Sequence, residues 1–199
     1  MKTLLIDNGT QYKQKIIHLL ENFDVAVVER KDLSRFKGNS DEFDLIVLSG
    51  ANNGSPSVKR NSHRYDKELE IIRNTNVPVI GICFGAQLIA FEFGARLSLL
   101  PEKVKGIVHI FGINKNPFNI RYHGEKVFAS HRWRITDLPE ELIGLAASGD
   151  GIEIFKHRTR PLYGLQFHPE RRAERNNGAR IFRQIVELEV GKKPTTTLV

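Results

Sequence analysis

The chain is almost free of cysteine: its 199 residues contain one, Cys83, together with one tryptophan and one methionine. A single cysteine cannot form a disulfide within the chain, which excludes the small disulfide-stabilised secreted folds. The opening residues, MKTLLID, lack the basic start and the long apolar core of a secretory leader. No apolar run approaches the roughly 20 residues that a membrane-spanning helix needs. These absences predict a protein of the reducing cytoplasm.

Acidic residues are in the minority, since 23 of them face 30 lysines and arginines and leave a formal net charge of +7. Such a balance favours acidic partners. The excess is concentrated near the C-terminus, where the basic residues are Lys156, Arg158, Arg160, Arg171, Arg172, Arg175, Arg180 and Arg183, against Glu170 and Glu174. The plain interpretation of this basic C-terminal region is a solvated face, and the alternative is a docking surface for an acidic protein partner. Nucleic acid is disfavoured because no recognised binding motif or interleaved aromatic residues accompany the charges.

Apolar runs alternate with helical spacing along the first half of the chain. The patterns predict strands at 3–7, 25–28, 45–49 and 77–83, and helices at 11–23, 65–73 and 84–93. Beyond Arg96 they predict shorter strands at 105–113, 152–156 and 163–167, and then a closing helix at 177–189. Continuous apolar strands separated by helices are typical of a parallel sheet covered on both faces. We therefore expect one α/β domain over 1–190, with an open, mixed, mostly parallel sheet, a small antiparallel extension and a flexible tail over 191–199.

The lone cysteine lies where a predicted strand meets a predicted helix, in the segment VIGICFGAQLIAFEFG. Cys83 stands between Gly81 and Gly85, the spacing of a nucleophile elbow, in which a sharp turn exposes the side chain and glycines prevent clashes. A helix N-terminus at this place would stabilise a thiolate, and the N–H of Phe84 would point toward a developing oxyanion. The alternative is that Cys83 is simply a small buried apolar residue, as lone cysteines often are.

A second segment, YGLQFHPE, ends in His168, Pro169 and Glu170. If the strand continues through these residues, the side chains of His168 and Glu170 point to the same side. Glu170 would then hold the imidazole of His168 in the tautomer that accepts a proton from Cys83. The alternative is a surface strand end with a solvated glutamate. Together, the two segments indicate a cysteine nucleophile with a histidine base at the carboxyl ends of sheet strands.

In these segments the sequence resembles the class I glutamine amidotransferases, a family with a Cys-His-Glu triad. GICFGAQLIA is similar to the nucleophile segment of that family, YGLQFHPE to its His-Glu segment and LIVLSGANNGSP to its oxyanion loop, while the opening LIDNGTQY resembles the GMP synthetase branch. The resemblance implies a flavodoxin-like fold and release of ammonia from glutamine through a thioester on Cys83. It also implies an oxyanion hole made by the N–H groups of Ala51 and Phe84. Substrate-binding positions would be Gly50, Gln87, Ser130, His131 and Trp133.

Three positions depart from the usual pattern of that family. Ala51 replaces a glycine and would be strained if the loop needs positive φ. Ala86 replaces a larger residue after Gly85, which would leave space near the nucleophile. Trp133 replaces the acid of the S-H-x-D segment, which would contact the α-amino group of glutamine. The last departure makes the identity of the substrate the most open question.

The sequence contains no phosphate-cradling glycine motif, so ATP-driven use of the ammonia is expected to belong to another chain. We therefore expect an amide hydrolase that needs no cofactor or metal and acts on a small molecule for a separate synthetase partner. One alternative is a free-standing γ-glutamyl hydrolase. The other is a catalytically silent regulatory subunit of the same fold.

Overall fold

The structure, a computed structural model, describes residues 1–36, 38–52, 57–114, 124–171 and 176–191. The strands are β1 (Lys2–Asp7), β2 (Asp24–Glu29), β3 (Leu45–Leu48), β4 (Val79–Ile82), β5 (Arg96–Gly112), β6 (Glu125–Asp137), β7 (Leu142–Ser148), β8 (Gly151–His157) and β9 (Leu162–Leu165). The α-helices are α1 (Lys13–Leu19), α2 (Val58–Asn61), α3 (Asp66–Asn74), α4 (Phe84–Glu92) and α5 (Gly178–Val190). Within the described ranges, none of these helices has the length and apolar character that crossing a membrane requires.

All of these strands belong to one 9-stranded sheet, in the order β2-β1-β3-β4-β9-β8-β7-β5-β6. The first five strands in that order pair in parallel, and the remaining pairings are antiparallel. Strand β9 joins the two parts, because it is parallel to β4 on one side and antiparallel to β8 on the other. The predicted flavodoxin-like mixed α/β fold is confirmed.

The antiparallel part is larger than the sequence pattern indicates. The short strand expected at 105–113 was wrong, because β5 runs through 17 residues and pairs with the 13 residues of β6. The short strands expected at 152–156 and 163–167 correspond to β8 and β9. Pro101 and its charged neighbours interrupt the apolar pattern, and the ladder absorbs them at an irregularity between the Leu99 and Val104 pairings. Strands β6 and β7 were not predicted at all.

Helices cover both faces of the sheet, as predicted. On one face α1 and α5 pack their apolar sides on the sheet, with Ile16, Ile181 and Phe182 fully or almost fully buried. On the other face α3 and α4 bury residues such as Ile72 and Leu88. The predicted tail, 191–199, lies outside the described residues except for Gly191, and the domain division at residue 190 stays a prediction.

The parallel strands carry their carboxyl ends to one edge of the sheet, which is where chemistry gathers in such folds. The ends of β1 and β3 are tied together at this edge, because the backbone N–H of Asn8 donates to Ser49 Oγ at 2.8 Å and Ser49 Oγ donates to Asp7 Oδ1 at 3.3 Å. Cys83 follows β4 directly, and His168 follows β9 by a few residues. The fold therefore brings the two predicted reactive side chains to the same edge.

Strand β8 carries a carboxyl group into the interior. Glu153 is only 1% exposed. The hydroxyl of Ser148 donates to Glu153 Oε1 at 2.8 Å, while Oε2 has no hydrogen-bond partner within the described ranges. Burial raises the pKa of Glu153 to about 7, and the hydrogen bond from Ser148 offsets this only in part.

Replacing Glu153 with glutamine is expected to remove part of the pH dependence of folding. Because its pKa is raised from 4.5 to about 7, the protonated side chain stabilises the fold fully below pH 4.5, and this contribution is lost as the pH rises through about 7. The loss is roughly 3 kcal/mol at most. Urea unfolding at about pH 5 and about pH 8 measures it. The wild type should lose more stability between the two conditions than Glu153→Gln, with Glu187→Gln on the exposed side of α5 as the control, and equal losses would contradict the expectation.

Candidate active site

The turn between β4 and α4 is a strained elbow. Cys83 is the N-cap of α4 and has φ +50° and ψ −99°, and it is the only non-glycine residue with positive φ in the described part of the chain. Its N–H donates to the carbonyl of Leu165 at 2.7 Å, which fixes the elbow to the end of β9. A Cβ on Gly81 would overlap the backbone of Gly85, and a Cβ on Gly85 would overlap the carbonyl of Leu48. The glycines are therefore required by the close approach of three backbone segments.

The loop after β3 approaches the elbow closely. A Cβ on Gly50 would lie 3.2 Å from His168 Cε1 and 3.6 Å from Cys83 Cβ, so Gly50 faces both reactive side chains. Ala51 follows without positive φ, so the strain considered for a glycine replacement does not arise there. At the start of α4, the N–H of Phe84 has no carbonyl one turn earlier to bond, as for any first residue of a helix. Ala51 and Phe84 line the same cleft as Cys83.

His168 and Glu170 meet in the interior. Their side chains join through His168 Nδ1 and Glu170 Oε1 at 2.7 Å, and they are 3% and 2% exposed. The expectation that the strand continues through them was wrong, because β9 ends at Leu165 and the pair lies in a turn in which the N–H of Arg171 donates to the carbonyl of His168 at 3.1 Å. The N–H of His168 donates to the carbonyl of Phe128 at 2.8 Å, so β6 also fixes the turn.

The protonation of His168 is set by its neighbours. Burial would lower the pKa of its imidazole, but the charges of Cys83 and Glu170, and its hydrogen bonding with them, raise that pKa well above the ordinary 6.5. Nδ1 is hydrogen-bonded to Glu170, so Nε2 is the nitrogen available to exchange a proton with Cys83. Nε2 is buried and has no other hydrogen-bond partner within the described residues. The raised pKa favours the protonated, imidazolium form of His168.

A cleft of about 410 Å³ opens in front of Cys83. The predicted site residues that line it are Ala51, Cys83, Phe84, Gln87, Ser130, His131 and Trp133, and the lining residues that the sequence did not indicate are Asn52, Ser57, Lys103 and Arg132. Gly50 contacts the reactive pair without lining the cleft, and Ala86 is fully buried in the core on the α4 face. Lys103 and Arg132 look like solvated charges in the sequence, and only the pairing of β5 with β6 brings them to the cleft.

His131 is a buried polar residue of the cleft wall. It is 4% exposed, and neither ring nitrogen has a hydrogen-bond partner in the described part of the chain. Burial lowers the pKa of His131 to about 4; the charges of His168 and Lys103 also lower it, and that of Asp150 opposes them. At neutral pH the ring is therefore uncharged, with one nitrogen as a donor and the other as an acceptor.

The side chain of Gln87 is hydrogen-bonded to the backbone of Trp133. Gln87 Nε2 donates to the carbonyl of Trp133 at 3.1 Å and to Gln166 Oε1 at 3.3 Å. The indole of Trp133 is half-buried, and the guanidinium of Arg60 lies 5.8 Å from its centre. Gln166 was not predicted as a site residue from the sequence, although it stands two residues before His168 in the segment YGLQFHPE.

The basic C-terminal region is less uniform than its composition suggests. Arg160 donates from Nη2 to the carbonyls of Ile72 and Thr75, both at 2.7 Å, and so ties the β8–β9 turn to the end of α3. Arg171 stacks on Phe128 at 4.1 Å and bonds the hydroxyl of Tyr12. These two arginines have structural roles, whereas Arg158 and Arg183 are exposed. The neighbouring Arg172, Glu174 and Arg175 lie outside the described residues.

Known proteins are similar in sequence to this chain over most of its length. A family model described as glutamine amidotransferase class-I matches residues 4–188. One subunit of the glutamine-hydrolyzing GMP synthase of Methanocaldococcus jannaschii is 30% identical over 172 residues, covering 84% of this chain and 87% of that protein. The corresponding protein of Thermoplasma acidophilum is 32% identical over 175 residues, covering 85% and 84%.

Some relatives are much longer, and the chain spans only 24% of the aminodeoxychorismate synthase of Streptomyces griseus, to which it is 30% identical over 184 residues. Among solved structures, a GMP synthase subunit from Thermoplasma acidophilum is similar with a TM-score of 0.78 and 28% identity, covering 96% of this chain and 94% of that one. Because the family match, the subunit-length relatives and the fold agree over almost the whole chain, this protein belongs to the class-I glutamine amidotransferases and is close to the glutaminase subunits of GMP synthetase.

Proposed function

We propose that this chain hydrolyses the side-chain amide of glutamine through a thioester on Cys83 and passes the ammonia to a separate synthetase subunit. The observation that carries the proposal is the meeting, at one edge of the sheet, of a strained Cys83 elbow with the buried His168–Glu170 pair. Relatives of similar length are GMP synthase subunits, which supports the same role here.

The geometry supports the following sequence of steps. The thiolate of Cys83 attacks the amide carbon, and the carbonyl oxygen becomes an oxyanion that accepts hydrogen bonds from the N–H groups of Ala51 and Phe84. The intermediate collapses by breaking the carbon–nitrogen bond, while His168 Nε2 gives its proton to the nitrogen, so that ammonia leaves and a thioester remains.

Hydrolysis of the thioester reverses the roles. His168, now neutral, takes a proton from water, and the resulting hydroxide attacks the thioester carbon. The carbon–sulfur bond breaks, glutamate leaves, and the Cys83 thiolate is restored beside an imidazolium. Glu170 keeps Nε2 of His168 directed at the reaction throughout, because its carboxylate holds Nδ1 at 2.7 Å.

The partner is proposed to be a synthetase chain that uses the ammonia. The basic C-terminal region, in which Arg158 and Arg183 are the exposed cations among the described residues, remains the proposed docking surface for an acidic face of that partner. The cytoplasm remains the proposed location, since a protein with a single free thiol suits a reducing compartment.

The test of this proposal is an assay of the purified chain with glutamine, in which glutamate and ammonia are both measured, with and without the synthetase subunit from the same source. We expect equal amounts of glutamate and ammonia, and faster release when the synthetase is present. Absence of glutamine hydrolysis under both conditions would contradict the proposal and would favour a silent subunit.

A γ-glutamyl hydrolase is the second candidate, and the charge of the cleft favours it. The described lining residues include Lys103 and Arg132 but no carboxylate, while the α-ammonium group of free glutamine is costly to desolvate without an anion. A substrate whose α-nitrogen is acylated carries no such charge. The same assay with α-N-acetylglutamine and with γ-glutamyl peptides whose α-nitrogen is also acetylated distinguishes the two candidates by their kcat/KM relative to free glutamine.

Replacing Trp133 with aspartate is expected to lower the KM for free glutamine about tenfold in the isolated chain. A charge-assisted hydrogen bond to the α-ammonium group contributes roughly 1.5–3 kcal/mol, whereas a cation over an indole face gains about 0.5–2 kcal/mol. Steady-state kinetics measure the effect, with Trp133→Asn as the uncharged control, and thermal unfolding checks the lost packing. A low-micromolar wild-type KM, or equal KM values in the aspartate and asparagine variants, would show that the α-amino group is recognised elsewhere.

A further inference from the structure

A buried amide connects the nucleophile to the wall of the substrate cleft. Gln166 is 1% exposed and lies between Cys83 and Gln87. Its Nε2 donates to Cys83 Sγ at 3.8 Å, and its Oε1 accepts from Gln87 Nε2 at 3.3 Å. Its own N–H donates to the carbonyl of Glu153 at 2.9 Å, so the backbone of β8 holds it in place. Both polar ends of the side chain are therefore engaged.

The direction of this chain of hydrogen bonds follows from its far end. The carbonyl of Trp133 can only accept, so the group of Gln87 that faces it at 3.1 Å must be the NH₂. The same NH₂ faces Gln166, which must therefore present its carbonyl oxygen, and its own NH₂ is left to face Cys83. The orientation of each amide is thus fixed without reference to the sulfur.

The sulfur has two polar neighbours with opposite preferences. The carbonyl of Ser130 lies 3.9 Å from Cys83 Sγ and can accept only from a protonated thiol. The Gln166 NH₂ donates, and a donor to sulfur is worth most when the sulfur carries a full negative charge. Gln166 therefore favours the thiolate, and Ser130 favours the thiol.

We propose that Gln166 is a positioning residue that stabilises the Cys83 thiolate and holds Gln87 in register with it. The proposal rests on the proposed function, in which Cys83 is the nucleophile. In this arrangement the side chain of Gln166 lies between Gln87, which would contact the substrate, and Cys83, which would attack it, and so aligns the two. His168 and Glu170 act on the proton of the sulfur, whereas Gln166 also connects the sulfur to the cleft wall.

Among the described residues, the charged and titratable groups beside the sulfur or along the cleft come from separate elements. They are His168 and Glu170 after β9, His131 and Arg132 on β6, and Lys103 on β5. None of these groups is itself altered by a substitution at Gln166. A change in the titration of Cys83 in a Gln166 variant therefore reports on Gln166 itself.

The test is the pH dependence of Cys83 alkylation by iodoacetamide, which reacts with the thiolate. Gln166→Leu keeps the volume of the side chain and loses the donor. In this variant the pH midpoint of alkylation should rise by about one unit, so that the alkylation rate at a fixed pH below the midpoint is about tenfold lower. The rate on the high-pH plateau should not change. In Gln166→Glu, which keeps the shape and places a carboxylate by the sulfur, the midpoint should rise further. Gln184→Leu on α5 is the control and should match the wild type.

An unchanged alkylation midpoint in folded Gln166→Leu or Gln166→Glu would overturn the proposal. A measurement on the wild type covers the case in which both variants fail to fold: the side-chain NH₂ signals of Gln166 in a ¹⁵N-glutamine-labelled sample should shift when Cys83 is deprotonated. Signals that do not move would also overturn it. Both readouts are independent of turnover, so they distinguish failure of this inference from failure of the proposed glutamine hydrolysis.

Discussion

Cys83→Ala is expected to abolish amide hydrolysis, with kcat reduced by at least about 10⁴-fold, while the protein stays folded. The reaction loses its covalent route, because the sulfur that would attack the amide carbon is gone. Folding should survive because alanine removes only one sulfur atom from a residue that is 7% exposed, and because the positive φ is equally unfavourable for both residues.

Cys83→Ser is the matched variant, since it keeps the shape of the side chain but has a hydroxyl that His168 deprotonates poorly. Ammonia release and thermal unfolding of both variants are the measurements. Ammonia release at more than a hundredth of the wild-type rate in Cys83→Ala would contradict the assignment of the nucleophile. If Cys83→Ala were instead unfolded at the assay temperature, the loss of activity would indicate a structural role.

His168→Ala is expected to lower kcat by about 10²–10⁴-fold, the usual contribution of a positioned general acid and base. Glu170→Gln should be milder, because an amide can still hold Nδ1 of His168 while the negative charge is lost. His63→Ala is the control, since His63 is exposed and lies outside the cleft. Equal and negligible losses in the first two variants would show that the pair is not catalytic.

Glu170→Gln is also expected to change the pH dependence of kcat. Cys83 and Glu170 together raise the pKa of His168 well above 6.5, so the imidazolium that protonates the leaving nitrogen persists to higher pH than an ordinary imidazolium would. Activity should therefore fall only as the pH rises through that elevated pKa. Removing the charge in Glu170→Gln should move this alkaline limb to lower pH. The profile of kcat measures the shift, and an unmoved limb would mean that Glu170 does not set the charge of His168.

The short motifs of this chain could be identified from the sequence because their chemistry is local. The elbow depends on the glycines on either side of Cys83, and the spacing of those glycines is visible in one segment. His168 and Glu170 also stand two residues apart, so their meeting could be expected, although the backbone between them is a turn and not a strand. The apolar periodicity of α5 likewise placed Ile181 and Phe182 on the inner face correctly.

The remaining features depend on contacts between distant segments. Lys103 and Arg132 reach the cleft only because β5 and β6 pair across a bulge, and no local pattern indicates that pairing. Gln166 is connected to Gln87 across 79 residues of sequence, so its role could be recognised only from coordinates. Arg160 looked like part of a charged face, yet its guanidinium is used to join the β8–β9 turn to α3.

The most direct test of the thioester mechanism is covalent labelling with a glutamine-like diazo-ketone, followed by intact and peptide mass spectrometry. The reagent should alkylate a sulfur thiolate in the glutamine pocket with loss of dinitrogen, so we expect one adduct per chain, located at Cys83, slowed by excess glutamine and absent in Cys83→Ala. Labelling at any other residue, or persistent labelling of Cys83→Ala, would contradict the account, as would a wild-type protein that hydrolyses glutamine but takes up no label.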